Sequence, residues 1–137
     1  MILQGDPAQS VPGVFDVPDD SEFGGVLALR FEDPVEPISL RIVDVETGPQ
    51  DERARIALVD IPGRRRWIDV PGGFTGGDGG PAGTRVLRLN TLDAQRGLSS
   101  IATVRSEPRF DPSRVTRMWV LLRGSDAIDD LIVGSVR

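Results

Sequence analysis

The sequence has 137 residues and a net charge of −5; it contains no cysteine, histidine, tyrosine or lysine, and all 16 basic residues are arginine. These absences exclude disulfides, thiolate and imidazole zinc sites, Ser-His-Asp and cysteine nucleophiles, Schiff-base lysines and P-loops. The length fits a single domain over residues 1–137, the acidic balance disfavours nucleic acid as a partner, and no apolar run is long enough to insert into a membrane.

The chain is predicted to be built from short strands. Residues 1–25 are acidic and contain prolines, and we expect irregular structure there, with one further candidate strand at residues 2–4. Beyond it, apolar and polar residues alternate, as in Leu27 and Leu29 against Arg30, which is typical of antiparallel strands with one solvated face. The predicted strands are 26–32, 38–45, 54–60, 65–70, 84–90, 98–105, 115–123 and 127–133.

The segments between these strands carry turn signals. The motifs "FEDPVEP" (Phe31–Pro37) and "VDIPG" (Val59–Gly63) predict tight turns, and "PGGFTGGDGGPAG" (Pro71–Gly83) predicts a long glycine-rich loop. About eight such strands predict an all-β fold, a two-sheet antiparallel jelly-roll β-sandwich, with an open barrel as the alternative.

Two adjacent aspartates interrupt the apolar strand at residues 127–133. Successive side chains of a strand point to opposite faces, so either Asp129 or Asp130 is expected to point into the core. A buried carboxylate needs an arginine, a set of backbone N–H donors, a bound cation or a place at the edge of the core. Asp44 and Asp60 close two earlier strands with the same core-facing parity.

Carboxylates at the rims of a sheet are donors that Ca²⁺ prefers, since it takes six to eight oxygen ligands. The sequence therefore predicts a structural calcium site, with ordinary turns and arginine partners as the alternative. The candidate ligands are Asp129, Asp130, Asp19, Asp20 and Asp44.

A ligand-binding face is predicted around one of the two tryptophans. Trp67 shares its parity with Arg65 and Asp69, which suggests that all three lie partly exposed on the sheet. Trp119, beside Arg117 by parity, is the second candidate, and core packing is the alternative for both. Adjacent Asp129 and Asp130 point apart and cannot form the paired carboxylates of a glycosidase, so the protein is not expected to be an enzyme.

Three segments resemble a known family. "GGVLALRFEDPVEPISLRIVDVE", "GGDGG" before "TRVLRL", and "VTRMWVLLRGSDAIDDLIV" resemble the jelly-roll domain of bacterial exported proteins of the PEP-CTERM type. The closing "AIDD" is also similar to the last strand of carbohydrate-binding-module and MAM-type sandwiches, in which the first aspartate commonly serves a structural calcium. That role falls on Asp129.

Together these observations predict a non-catalytic binding module that is secreted or displayed on a bacterial cell surface. Carbohydrate is the leading ligand class. The alternative is an assembly domain that contacts other protein domains, or copies of itself, through its strand edges.

Overall fold

The computed structural model describes residues 24–43, 45, 54–71, 74, 84–90, 103–123 and 127–135. Within these ranges the chain is all-β and forms no helix. The strands are β1 (Gly25–Val43), β2 (Ala54–Asp60), β3 (Arg65–Val70), β4 (Thr84–Arg88), β5 (Thr103–Ser106), β6 (Val115–Leu122) and β7 (Ala127–Ser135). The predicted strand at residues 2–4 lies outside the described residues.

All seven strands belong to one antiparallel sheet. Its order is β4-β1-β6-β2-β3-β5, and β7 pairs with β1. The sheet curls into a half-barrel. The predicted antiparallel all-β class is therefore confirmed, whereas a division into two sheets is not seen among the described strands.

The core lies on one face of this sheet, the inner face. Ile56 and Leu58 of β2, Ile68 of β3 and Met118 of β6 are at most 1% exposed, because alternate side chains of each strand point to the same side. Leu40 and Ile42 of β1 join the same cluster. The opposite, outer face carries both tryptophans and exposed polar residues, although Asp60 and Arg66 are buried with the parity of the inner face.

The predicted turn at Phe31–Pro37 is wrong, since β1 runs through it without ending. The two prolines of this motif coincide with irregularities in the pairing: Pro34 lies within the register shift between Arg30 and Val35, and Pro37 begins the next shift along β7. Proline donates no ladder hydrogen bond, and at such irregularities none is required. The prolines therefore disturb the strand without breaking it.

The other predicted turn is confirmed. β2 and β3 form a hairpin with the predicted bounds, and the N–H of Gly63 donates to the carbonyl of Asp60 at 3.0 Å. Gly63 has φ of +90°, a left-handed conformation that a side chain would strain. The described residues contain no helix that is long and apolar enough to cross a membrane.

Candidate functional site

The residues of the predicted ligand-binding face lie together on the outer face, as their parity indicated. Along β3, Arg65 is exposed and Trp67 and Asp69 are partly exposed, whereas the alternate residues Ile68 and Val70 are buried. The strand alternates without interruption because β2 pairs with it over its whole length.

The sheet places the second tryptophan on the same face. Ala57 of β2 is the register partner of both Trp67 on β3 and Trp119 on β6. Since adjacent strands lie about 4.8 Å apart, the two tryptophans stand roughly 10 Å from each other across a single small residue. Both tryptophans and Ala57 are partly exposed, and these three neighbouring residues are here called the tryptophan platform.

Charged side chains border this platform. The carboxylate of Asp69 accepts a hydrogen bond from Arg55 on β2 and another, at 3.2 Å, from Arg105 on β5. Asp69 is only 17% exposed, whereas the two arginine side chains are 46% and 60% exposed. The aspartate thus holds two guanidinium groups in place, and each keeps donors that face solvent.

Sequence reasoning missed Ala57, Arg55, Arg105 and the pairing of Trp119 with the platform. Strand parity alone places Arg55 and Ala57 on the outer face, opposite to buried Ile56. The order of the strands in the sheet brings Trp119 and Arg105 beside them, and no local pattern in the sequence encodes that order.

The expectation that Asp129 or Asp130 points into the core is wrong. Both side chains are 57% exposed, and both contact the same guanidinium. Nη1 of Arg41 lies 3.2 Å from Oδ2 of Asp129 and 3.3 Å from Oδ2 of Asp130. The partner of these two carboxylates in the described structure is therefore an arginine of β1.

A β-bulge explains how two adjacent residues become exposed together. β1 and β7 pair Leu40 with Leu131 and Ile42 with Ile128. Between these pairs β1 contributes one residue, Arg41, and β7 contributes two, Asp129 and Asp130. The extra residue interrupts the alternation of the strand, so both carboxylates lie opposite the one arginine.

A different aspartate is buried. The side chain of Asp60 is fully buried at the end of β2. Its Oδ1 accepts a hydrogen bond from the backbone N–H of Arg64 at 2.8 Å. Its Oδ2 lies 2.7 Å from both Nε and Nη2 of the Arg64 side chain. The same Oδ2 accepts a hydrogen bond from the backbone N–H of Asp111 at 3.1 Å. These donors are an arginine and a set of backbone N–H groups, which together replace the lost water.

Asp111 continues this polar corner. Its Oδ1 accepts the hydroxyl of Ser113 at 2.6 Å and the backbone N–H of the same residue at 3.0 Å. The hydroxyl hydrogen bond lowers the pKa of Asp111 below its ordinary value, against the opposing effect of burial, and the charges of Arg114 and Arg64 act in the same lowering direction.

The calcium prediction falls mainly on residues that the structure does not describe. Asp19, Asp20 and Asp44 lie outside the described residues, and Asp129 and Asp130 alone offer too few oxygens for Ca²⁺. Within the described ranges, no group of three or more acidic side chains is placed to hold a metal ion.

Comparison of the chain with protein-family models, with curated proteins and with solved structures found no match. The resemblance to jelly-roll domains of bacterial exported proteins therefore stays a prediction.

Proposed function

We propose that this domain is a non-catalytic carbohydrate-binding module whose ligand lies across the tryptophan platform. The observation that carries the proposal is that Trp67 and Trp119 flank Ala57 on the solvent side of the sheet. Two neighbouring, partly exposed indole rings place apolar area in water, and a ligand that stacks on them would remove that area from water.

The chemistry of the platform suits a sugar chain. The faces of pyranose rings are apolar C–H surfaces that stack on indole rings, and their hydroxyls lie around the edge of each ring. Ala57 leaves room between the two indoles, and Arg55, Asp69 and Arg105 border them with donors and acceptors for hydroxyl groups. Because the platform residues lie on three paired strands, less backbone ordering is needed on binding.

The proposal is tested by measuring retention in native gels that contain soluble polysaccharides. Trp67→Ala and Trp119→Ala are each expected to weaken retention about tenfold, by the loss of about 1 to 2 kcal/mol of stacking. Ala57→Gln should weaken it similarly, because the longer side chain fills the space between rings that are still present. Val86→Ala, on an exposed residue of β4, is the control.

Thermal unfolding of each variant separates lost binding from lost folding. Retention that is unchanged in both tryptophan variants would contradict the proposed platform. If the wild-type protein is retained by no polysaccharide, carbohydrate binding itself would be ruled out.

The two-sheet jelly-roll arrangement, the exported location and the structural calcium belong to the same proposal. They rest on the strand pattern and on the resemblance of the "AIDD" motif. A calcium site would require that oxygen donors from outside the described ranges join Asp129 and Asp130.

Assembly through strand edges is the second candidate, and β7 favours it. Among the described strands β7 pairs only with β1, and its Ile132 and Val133 are 53% and 40% exposed. An edge strand with exposed apolar residues can pair with a strand of a second copy. Sedimentation velocity distinguishes the two functions. If the domain assembles, the wild type should sediment as a species heavier than the monomer. Ile132→Lys should return it to the monomer, whereas the tryptophan variants should sediment like the wild type.

A further inference from the structure

The outer face carries a charge opposite to that of the chain. The protein has a net charge of −5, yet around the tryptophan platform the outer side of the sheet presents five exposed arginines, against the partly exposed Asp69 of β3 and the exposed Glu32 and Asp33 of β1. A carboxylate of Glu107 lies at the border, where it accepts the backbone N–H of Arg65 at 2.9 Å. The five exposed arginines of this part of the outer face are Arg30, Arg55, Arg65, Arg105 and Arg117.

Three of these arginines form a row beside the tryptophan platform. Arg30 of β1 is the register partner of Arg117 on β6, and Val59 of β2 is the partner of both Arg117 and Arg65 on β3. The row lies two residues along the strands from the tryptophans, which is roughly 7 Å. This arginine row thus follows the edge of the tryptophan platform across four adjacent strands.

The arrangement works against the stability of the sheet. Like charges that lie directly opposite each other on neighbouring strands repel, and Arg30 and Arg117 are such a pair. Among the described residues none of the three guanidinium groups of the row forms a salt bridge, although acidic side chains outnumber basic ones in this chain. A ligand with negative charges would relieve this repulsion.

We infer that the outer face binds acidic polysaccharide, a chain whose sugar units carry carboxylate or sulfate groups. The inference rests on the proposed function and specifies its ligand class. The sugar rings stack on Trp67 and Trp119, and their acidic substituents lie on the side where the arginine row can pair with them. Arg55 and Arg105, held by Asp69, supply donors around the platform.

Single-stranded nucleic acid is the other polyanion that aromatic and basic residues bind. It carries a phosphate on every unit and would extend beyond this face onto a domain of net negative charge. An acidic sugar chain offers apolar ring faces to both indoles and carries its charged substituents at the edges of the same rings. The observed combination of two rings and one arginine row therefore favours the sugar.

The experiment compares two polymers that differ only in charge. Affinity is measured by isothermal titration with polygalacturonate and with its methyl-esterified form, and alginate and chondroitin sulfate extend the acidic set. The acidic polymers are expected to bind at least about tenfold more tightly than the ester, and their affinity should fall as NaCl is raised from about 20 to about 500 mM.

Matched double variants locate the effect. R30Q/R117Q is expected to reduce affinity for the acidic polymers about tenfold and to leave the ester unaffected. R88Q/R123Q removes the same charge from exposed arginines outside the row and should change neither affinity more than about twofold.

Each result decides between distinct conclusions. Equal binding of the acid and the ester, unchanged in R30Q/R117Q, would overturn the acidic-sugar inference and leave the proposed function standing. Binding of no polysaccharide at all would overturn both. Tighter binding of an oligo(dT) probe than of any acidic polymer, lost in the tryptophan variants, would assign the face to nucleic acid instead.

Discussion

Two groups of aspartates in this domain meet arginine in different ways. Asp60, at the end of β2, is fully buried and is bonded by Arg64 and two backbone N–H groups. Asp129 and Asp130, on the bulge of β7, are more than half exposed and share Arg41. Asp60 keeps the core-facing parity of Ile56 and Leu58, whereas the bulge exposes both carboxylates of β7, so strand parity predicts the burial of an aspartate only together with the pairing of its strand.

The largest expected effect comes from replacing the buried carboxylate. Asp60→Ala should lower the free energy of unfolding by about 3 to 4 kcal/mol, because it leaves the N–H groups of Arg64 and Asp111 without an acceptor and Arg64 without its partner. Urea denaturation of the purified variant measures this loss. Asp60→Asn, which keeps one acceptor oxygen, should lose less. A loss below about 1 kcal/mol in Asp60→Ala would contradict the structural role given to this corner.

A smaller effect is expected at the edge of the same corner, and it depends on pH. The pKa of Asp111 is lowered in the folded protein, mainly by the hydroxyl of Ser113. A carboxyl with a lowered pKa adds stability above its unfolded value, and that stability disappears as pH falls through the folded value. Ser113→Ala should therefore cost about 1 kcal/mol near neutrality and less at strongly acidic pH.

Denaturation curves recorded from neutral to strongly acidic pH check this sign. Thr116→Val is a suitable control, because its hydroxyl donates to the backbone carbonyl of Val59. A difference between Ser113→Ala and wild type that grows as pH falls would contradict the assignment.

The smallest effects are expected on the bulge. Asp129→Ala and Asp130→Ala should each change the free energy of unfolding by less than about 1 kcal/mol and by similar amounts, because exposed ion pairs are weak and either carboxylate can serve Arg41 alone. A loss of 3 kcal/mol in one variant only would restore the idea of an inward carboxylate.

The same two variants examine the calcium prediction. If calcium binds here, millimolar Ca²⁺ should raise the melting temperature of the wild type by several degrees over EDTA, since it stabilises only the folded state, and the rise should vanish in Asp129→Ala. An unchanged melting temperature would contradict the calcium site and indicate that the two aspartates only pair with Arg41.

The sequence predicts well those parts of the fold that depend on neighbouring residues. β2 and β3 have their predicted bounds because β3 and the first five residues of β2 alternate and the turn between the strands closes locally. For the same reason the exposure of Trp67 could be predicted. At Phe31–Pro37, by contrast, the proline signals suggested a turn, and pairing with strands far along the chain kept β1 extended.

The candidate site depends mostly on distant residues, which explains what sequence reasoning missed. Nothing near Trp67 indicates that Trp119 stands across Ala57, because strand order decides it. Likewise, a single extra residue in β7 relative to β1 decides the exposure of Asp129 and Asp130. A bulge belongs to a pair of strands, and one strand read alone does not reveal it.

The pairing of β1 also determines when this protein can fold. β1 bonds to β4, β6 and β7 and to neither β2 nor β3, and 88 residues separate Arg41 from its partner Asp129. Such distant pairing makes folding slow, because the entropy of closing a large loop is lost before any stabilising contact forms. During synthesis the β2–β3 hairpin can form early. β1 cannot complete its pairing until β4, β6 and β7 have left the ribosome. Until β7 emerges, one edge of the second half of β1 stays open to other unfolded chains.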